Sequence, residues 1–247
     1  MILTTSNILS SYTPTIETGA STDDSNNIVN QDFSLNYTSS HATTLTISFG
    51  AVSAIDYIAV SGIIVKGDGS GSSIVQIQDG TTLINSVNLL RDRTCVFNFT
   101  RRSFANLKVK LINATGDIKP TVSYIAAGDA LIVPNFGEVG GHERAWLGRY
   151  NKNKLSTNSI AAPISALRDF TPISISLNMP NLLTSFCRIE MQRFLDFAES
   201  NLFFINEDQA APESSYVCYE LNSAEFTAHS ETRSLNNCKM SFKAFTR

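Results

Sequence analysis

The sequence predicts a mainly β protein in two parts: an N-terminal jelly-roll β-sandwich and a C-terminal β-sandwich-like domain carrying one amphipathic helix. Three observations lead there. Short stretches alternate apolar and polar residues and are separated by turn signals. Hydrophobic residues make up 43% of the 247 positions and charged residues only 17%, with Ser, Thr and Asn filling the deficit. One segment, about residues 182–200, repeats its apolar positions at the helical period instead. A chain of this length can bury one large β core or two smaller ones. The character changes after Gly128, so the expected domains are 1–129 and 130–247.

The opening stretch to Ile28 is polar, and Ser21–Asn27 reads as a loop by composition. Thr44–Phe49 alternates, with Leu45, Ile47 and Phe49 facing one way. Ala54–Val60 is more continuously apolar, as a central strand is. Gly67–Ser72 reads as a turn. Ser73–Gln78 is the next strand, closed by the hairpin signal Asp79-Gly80. Cys95, Phe97 and Phe99 alternate with polar residues, as do Leu107, Val109 and Leu111, and Thr121–Ile125 ends the series. Many short strands between turn signals suit a sandwich or jelly roll.

In the second part, Ala130–Pro134 reads as a last strand or a linker, and Asn135–Gly141 as a glycine-rich loop. Asn151–Thr157 is polar and expected to be exposed. Ile173, Ile175 and Leu177 alternate with serines in a strand. The helix follows Pro180. Ser185, Arg188, Gln192, Asp196 and Glu199 fall on one face; Leu183, Phe186, Cys187, Met191, Phe194, Phe197 and Ala198 fall opposite, with Glu190 the exception in that arc. Such a helix lies on a sheet. Strands are expected at Leu202–Ile205, Tyr216–Leu221, Glu225–His229 and Cys238–Phe245.

The net charge of −3 and the pI near 5.6 carry no basic excess, which argues against nucleic acid as a partner. Arg91–Arg93 and Arg101–Arg102 are the densest basic spots and read as solvated strand ends. The N-terminus has no basic segment followed by an apolar one, and no window approaches the ~18 apolar residues of a membrane span, so no membrane insertion is expected. Cys95, Cys187, Cys218 and Cys238 form no metal-ligand spacing and read as reduced, buried small hydrophobes.

No catalytic constellation is recognisable, and the reading is of a binding or structural protein without cofactor or metal. His41, His142 and His229 lie in no metal motif; an enzyme would require His142 with an acid in one cleft. Glu138 with Glu143, or Glu207 with Asp208, could pair as carboxylates, but any acid-bearing chain offers such pairs. Asp23, Asp24 and Asp68 are hard oxygen donors that read as solvated turn acids rather than a calcium site. Aromatic faces stack on pyranose rings, so Tyr12, Tyr37 and Tyr57, and Trp146 with Tyr150, are weighed as sugar platforms against core packing. Arg144, Trp146, Arg149 and Tyr150, with Gly140 and Gly141 before them, are the interface candidates, because Trp, Tyr and Arg are enriched at contacts that carry binding energy.

Leu45–Gly62 runs as a strand, a Gly, a short turn and a strand returning to Gly, and Val75–Gly80 follows as the next strand. This resembles the discoidin or galactose-binding-like jelly roll, over roughly Asn7 to Gly128. The β-helix-β order after Glu143, with the segment Phe203–Tyr219, is similar to tail-tube and distal-tail proteins of tailed bacteriophages. That resemblance implies a virion component, made in the host cytoplasm, that assembles with itself as a homo-oligomeric ring and with other virion proteins. The jelly roll would then decorate the ring or touch a host glycan. The alternative is a soluble carbohydrate-binding module with its pocket near Asp23–Asn27 or Gly67–Ser72.

Overall fold

A computed structural model describes residues 1–32, 35–63, 73–89, 93–113, 119–134, 152–157, 163–169, 173–228 and 234–245. The fold is mainly β with antiparallel sheets and one helix. Its strands are β1 (Ile2–Thr4), β2 (Thr15–Thr18), β3 (Tyr37–Thr38), β4 (Thr44–Ser61), β5 (Ser73–Asp79), β6 (Thr82–Leu89), β7 (Cys95–Ile112), β8 (Thr121–Val122), β9 (Tyr124–Gly128) and β10 (Ala130–Ile132). They continue with β11 (Lys152–Thr157), β12 (Pro163–Asp169), β13 (Ile173–Leu183), β14 (Phe203–Asn206), β15 (Ser215–Ala228) and β16 (Leu235–Phe245).

The N-terminal unit is a two-layer sandwich folded from two long bent strands. The expected strands at 44–49 and 54–60 are one strand, β4, and those at 95–99 and 107–111 are one strand, β7. The first half of β4 pairs with β2 and the end of β7, in a layer completed by β5 and β6. Its second half pairs with the start of β7 and with β9. Between the halves the register slips four times, from Ser48 to Tyr57. Gly50 sits in that bend at φ 67°, a conformation that side-chain-bearing residues rarely adopt. Leu45, Ile47, Val75, Ile77, Val109 and Leu111 of one layer meet Ile58, Val60, Cys95, Phe97, Ile125 and Ala127 of the other in a single core. Arg101 and Arg102 are therefore in the bend of β7 rather than at a strand end. Arg102 lies over the Phe104 ring, 5.0 Å from its centroid, and 3.2 Å from Asp79. Arg91 is outside the described residues.

The second unit is a six-stranded sheet in the order β10-β1-β14-β15-β16-β13. Its helix, α1, runs through Thr184–Phe186, Cys187–Met191 and Gln192–Ala198, the middle stretch in π geometry. The expected apolar face is the buried one: Cys187, Met191, Phe194 and Ala198 pack on Ile175, Leu177, Phe203, Met240 and Phe242. Leu183 departs from the expectation. It is 57% exposed because β13 continues through it and the helix begins one residue later. All four cysteines are buried and free, and burial pushes the Cys238 thiol up to about 12. Among the described residues no helix is long and apolar enough to cross a membrane.

The two units share a third core. Residues alternate across β4, β7 and β9, so the layer facing the sandwich core with Ile58 and Val60 presents Tyr57, Ala59, Val96, Tyr124 and Ala126 on its other side. These pack on Phe204 and Val217 of the second sheet, whose neighbours Phe203 and Cys218 face α1. The Tyr124 and Phe204 rings stack at 5.9 Å. β1 precedes the sandwich in sequence, yet it inserts between β10 and β14 of the second sheet. The chain leaving it is pinned at once: the Tyr57 hydroxyl donates to the Ser6 carbonyl at 2.5 Å, and Asn7 Nδ2 donates to the Tyr124 hydroxyl at 2.8 Å. Burial pushes the Tyr57 phenol well up and that of Tyr124 up to about 12, so both stay neutral. Asp129, between β9 and β10, is held by Arg101 of the sandwich and by Arg193 of α1, the latter at 2.8 Å.

Phe204→Ala should destabilise the protein by about 3–5 kcal/mol, because the cavity opens between two packed sheets. Phe226→Ala, at a ring 38% exposed, should cost far less; urea unfolding of the two variants checks this. Burial raises the Asp56 carboxyl above its ordinary value. A carboxyl raised by folding favours the folded state below the unfolded pKa and loses that contribution as pH rises through the raised value. Asp56→Asn, which keeps an acceptor for the Ala130 N–H, should therefore match or exceed the native stability at pH 7 by about 1 kcal/mol or less. That advantage should close on acidification through the carboxylate range, as followed by denaturation at a series of pH values.

Candidate ligand-binding cleft

Strand pairing brings several strand ends to one end of the sandwich. Thr44 and Ile74 both pair with Ile112, and Ser73 pairs with Leu89, so β4 begins, β5 begins, β6 ends and β7 ends at one level. β4 doubles back, and its last residue, Ser61, pairs with Tyr124. The short ladder of β3 with β8 closes the same end, aligning Tyr37 with Val122 and Thr38 with Thr121. Loops on a rigid sandwich are where side chains can vary without disturbing the core.

An open cleft of about 500 Å³ lies there, lined by residues 20–23, residues 38–40 and Lys119. Its floor is built by hydrogen bonds. The Tyr37 hydroxyl accepts the Ser21 N–H at 2.9 Å, the Ser40 N–H reaches the Gly19 carbonyl at 3.1 Å, and the Ser39 N–H reaches the Pro120 carbonyl at 2.9 Å. Ser39 Oγ donates to the Thr44 carbonyl at 2.9 Å. Gly19 has φ 90°, and a Cβ there would collide with Ser39 Oγ, so the loop can seat against Ser39 only with glycine. One Asp23 oxygen accepts the Thr38 N–H at 2.9 Å, which fixes the carboxylate at the rim. Ser21, Thr22, Asp23, Thr38, Ser40 and Lys119 thus border one open space. The Ser21 hydroxyl accepts the Asp23 N–H at 3.2 Å and the Thr38 hydroxyl accepts from Thr121 Oγ1 at 3.2 Å, so each keeps its own hydrogen to donate. His41 stands beside it, exposed, its Nδ1 accepting the Thr44 N–H at 3.1 Å.

The sequence-based candidates distribute unevenly. The loop at Asp23 does line a cleft. Gly67–Ser72 and Asp68 lie outside the described residues, as do His142, His229, Glu138, Glu143 and all the interface candidates: Gly140, Gly141, Arg144, Trp146, Arg149 and Tyr150. Tyr37 and Tyr57 are core residues, each 1% exposed, and offer no face to a sugar. Asp24 caps a turn by accepting the Asn26 N–H at 2.9 Å, and Glu207 accepts from the Tyr216 hydroxyl at 3.1 Å. Among the described residues no group of three or more His, Cys, Asp or Glu side chains could hold a metal ion. Lys119 and Ser40 were not singled out by sequence reasoning: they meet Asp23 only through the β3–β8 ladder, which pairs residues more than 80 positions apart.

The chain matches no known protein family and no curated protein sequence. Solved structures similar to it include a GH29 fucosidase of Ruminococcus gnavus in complex with fucose, at 12% identity and TM-score 0.39, covering 51% of this chain and 27% of the fucosidase chain. A fucose-binding module of Streptococcus pneumoniae shares 9% identity at TM-score 0.36, covering 49% of this chain and 96% of the module. A chitosan-binding module from a chitosanase/glucanase of Paenibacillus sp. IK-5 shares 11% identity at TM-score 0.36, covering 49% and 98% respectively. This chain thus spans about a quarter of the length of the fucosidase and nearly the whole of each isolated module. At these scores the likeness carries no argument about function, which rests on the cleft.

Gly19→Ala should cost more than Gly50→Ala. Both residues have positive φ, which costs a side-chain-bearing residue roughly 1–2 kcal/mol, but only at Gly19 does the added methyl meet another group. Chemical denaturation of the two variants measures the difference.

Proposed function

We propose that this protein is a non-catalytic binding module that holds a hydroxyl-rich ligand, a glycan, in the cleft at the end of the sandwich. The observation that carries this reading is the grouping of four hydroxyl-bearing residues, one acid and one lysine around a single open cleft, on a floor anchored to the sandwich core through Tyr37. Sugar hydroxyls donate and accept at once, and such a mixed lining answers both. The Asp23 carboxylate accepts two hydroxyls on its outer lone pairs, and Lys119 donates to ring or hydroxyl oxygens. The cleft's openness suits the end or side of a chain rather than an enclosed small molecule.

An assembly role, as in a virion, is the second reading, and the feature that bears on self-association is a sheet edge. β13 is an edge strand with no partner on its outer side among the described residues, and Ile173–Met179, before the bulge at Pro180, carries no charge to discourage pairing. A ring built through such an edge would use heterologous contacts.

The test is a glycan array probed with the native protein, Lys119→Ala and Asp23→Asn. Binding to a defined set of glycans, weakened about tenfold or more by either change, is expected, since each removes a charge-assisted hydrogen bond. Native binding left intact by both variants would remove the cleft from the mechanism. Absence of binding together with a discrete oligomer by light scattering would favour the assembly reading.

A further inference from the structure

We propose that a second depression, centred on Tyr12, is a separate site for a neutral pyranose. It has a volume of about 360 Å³ and is lined by Ser10, Ser11, Tyr12, Thr13, Asn26 and Asn30, with Val29 beside them. The Tyr12 ring is half-buried and packs, with Val29, against the sandwich core. Tyr12 is thereby held against the core and also borders the depression. A fixed, partly exposed aromatic ring is the element that the first cleft lacks. It offers a π face to the axial C–H groups of a sugar ring at little cost in side-chain entropy.

The polar groups around Tyr12 are committed on one side and open on the other. The Ser11 hydroxyl donates to the Ile8 carbonyl at 2.9 Å and that of Ser10 to the Asn7 carbonyl at 3.4 Å, so each presents lone pairs that accept from a ligand hydroxyl. Asn30 Oδ1 accepts the Asp32 N–H at 3.1 Å, which leaves the Asn30 amide N–H groups to donate. The lining contains no Asp, Glu, Lys or Arg. An anionic sugar would find no counter-charge there. A large apolar ligand would strip water from amides and hydroxyls without replacing its hydrogen bonds. A neutral sugar ring, apolar on one face and hydroxylated at its edge, matches both kinds of lining at once.

This site shares no lining residue with the first cleft, although the segment from Ala20 to Asn30 contributes to both. Asp24, the cap of the turn Ser25–Val29, stands in sequence between residues 20–23 of the first and Asn26, Val29 and Asn30 of the second. The two sites can therefore be read out separately by residue.

The test is a titration of the isotopically labelled full chain with methyl β-D-glucopyranoside, methyl β-D-galactopyranoside and methyl α-L-fucopyranoside, following backbone amides by NMR. At least one glycoside is expected to shift the amides of Ser10, Ser11, Tyr12, Thr13 and Asn26 in a saturable manner. Tyr12→Leu keeps apolar packing on the core but removes the aromatic ring, and should weaken that response about tenfold while leaving any glycoside-induced shifts of the first cleft's amides unchanged. Asn30→Asp, which keeps an oxygen to accept the Asp32 N–H and removes the amide donors, should weaken it similarly. Saturable shifts confined to residues 20–23, residues 38–40 and Lys119 would overturn this proposal and leave the first site standing. A response at Tyr12 that survives both substitutions, or no response at Tyr12 with any glycoside, would also overturn it.

Discussion

Among the described residues, the sandwich and the six-stranded sheet are arranged around one thin layer of sheet that is buried on both faces. The second half of β4, the start of β7 and β9 present Ile58, Val60, Phe97 and Ile125 to the sandwich core and Tyr57, Ala59, Val96 and Tyr124 to the second sheet. Water reaches neither face, so each face must be apolar or have its polar atoms paired. That explains two tyrosines 1% exposed or less whose hydroxyls bond to the crossing segment: Tyr57 donates to Ser6 and Tyr124 accepts from Asn7. It also explains why β1 lies where it does. A strand that starts in the second sheet and runs straight onto the doubly buried layer ties the two units together through the backbone as well as through packing.

This constraint positions the candidate sites. The bent strands β4 and β7 return their ends to one level, where the β3–β8 ladder and the loop at Asp23 border the first cleft. The Tyr12 depression lies beside the segment that runs from β1 along the sandwich to β2. Both sites therefore stand on segments anchored to packed cores, which limits how far their side chains must be ordered when a ligand arrives.

Period-2 alternation was readable wherever one face of a strand meets the core, as in Ile173–Met179 and Cys238–Phe245, and the helical period marked the face of α1 with Met191 and Phe194. Continuity was not readable. Gly50 looks like a turn in sequence and is instead the bend of a single eighteen-residue strand, because a glycine can serve either purpose and only the partner strand decides. β1 escaped notice since Ile2, Leu3 and Thr4 are too few to show a period. Its partners, Ile132 and Asn206, are more than 100 positions away. The site was legible only in part. Asp23 advertised itself through turn composition, whereas Lys119, Ser39 and Ser40 join it through a two-residue ladder that no local pattern foretells. Tyr12, Tyr37 and Tyr57 looked alike in sequence, and burial alone separates the one that borders a depression from the two that build the core.

Scanning calorimetry of the intact chain tests the shared layer most directly. Two units with separate cores, joined by a linker, unfold in separate steps. Here neither the sandwich nor the second sheet can lose its fold without exposing Tyr57, Tyr124, Phe204 and Val217, so a single transition is expected, with calorimetric and van't Hoff enthalpies equal. Two resolved transitions, each carrying the enthalpy of one unit, would contradict the account.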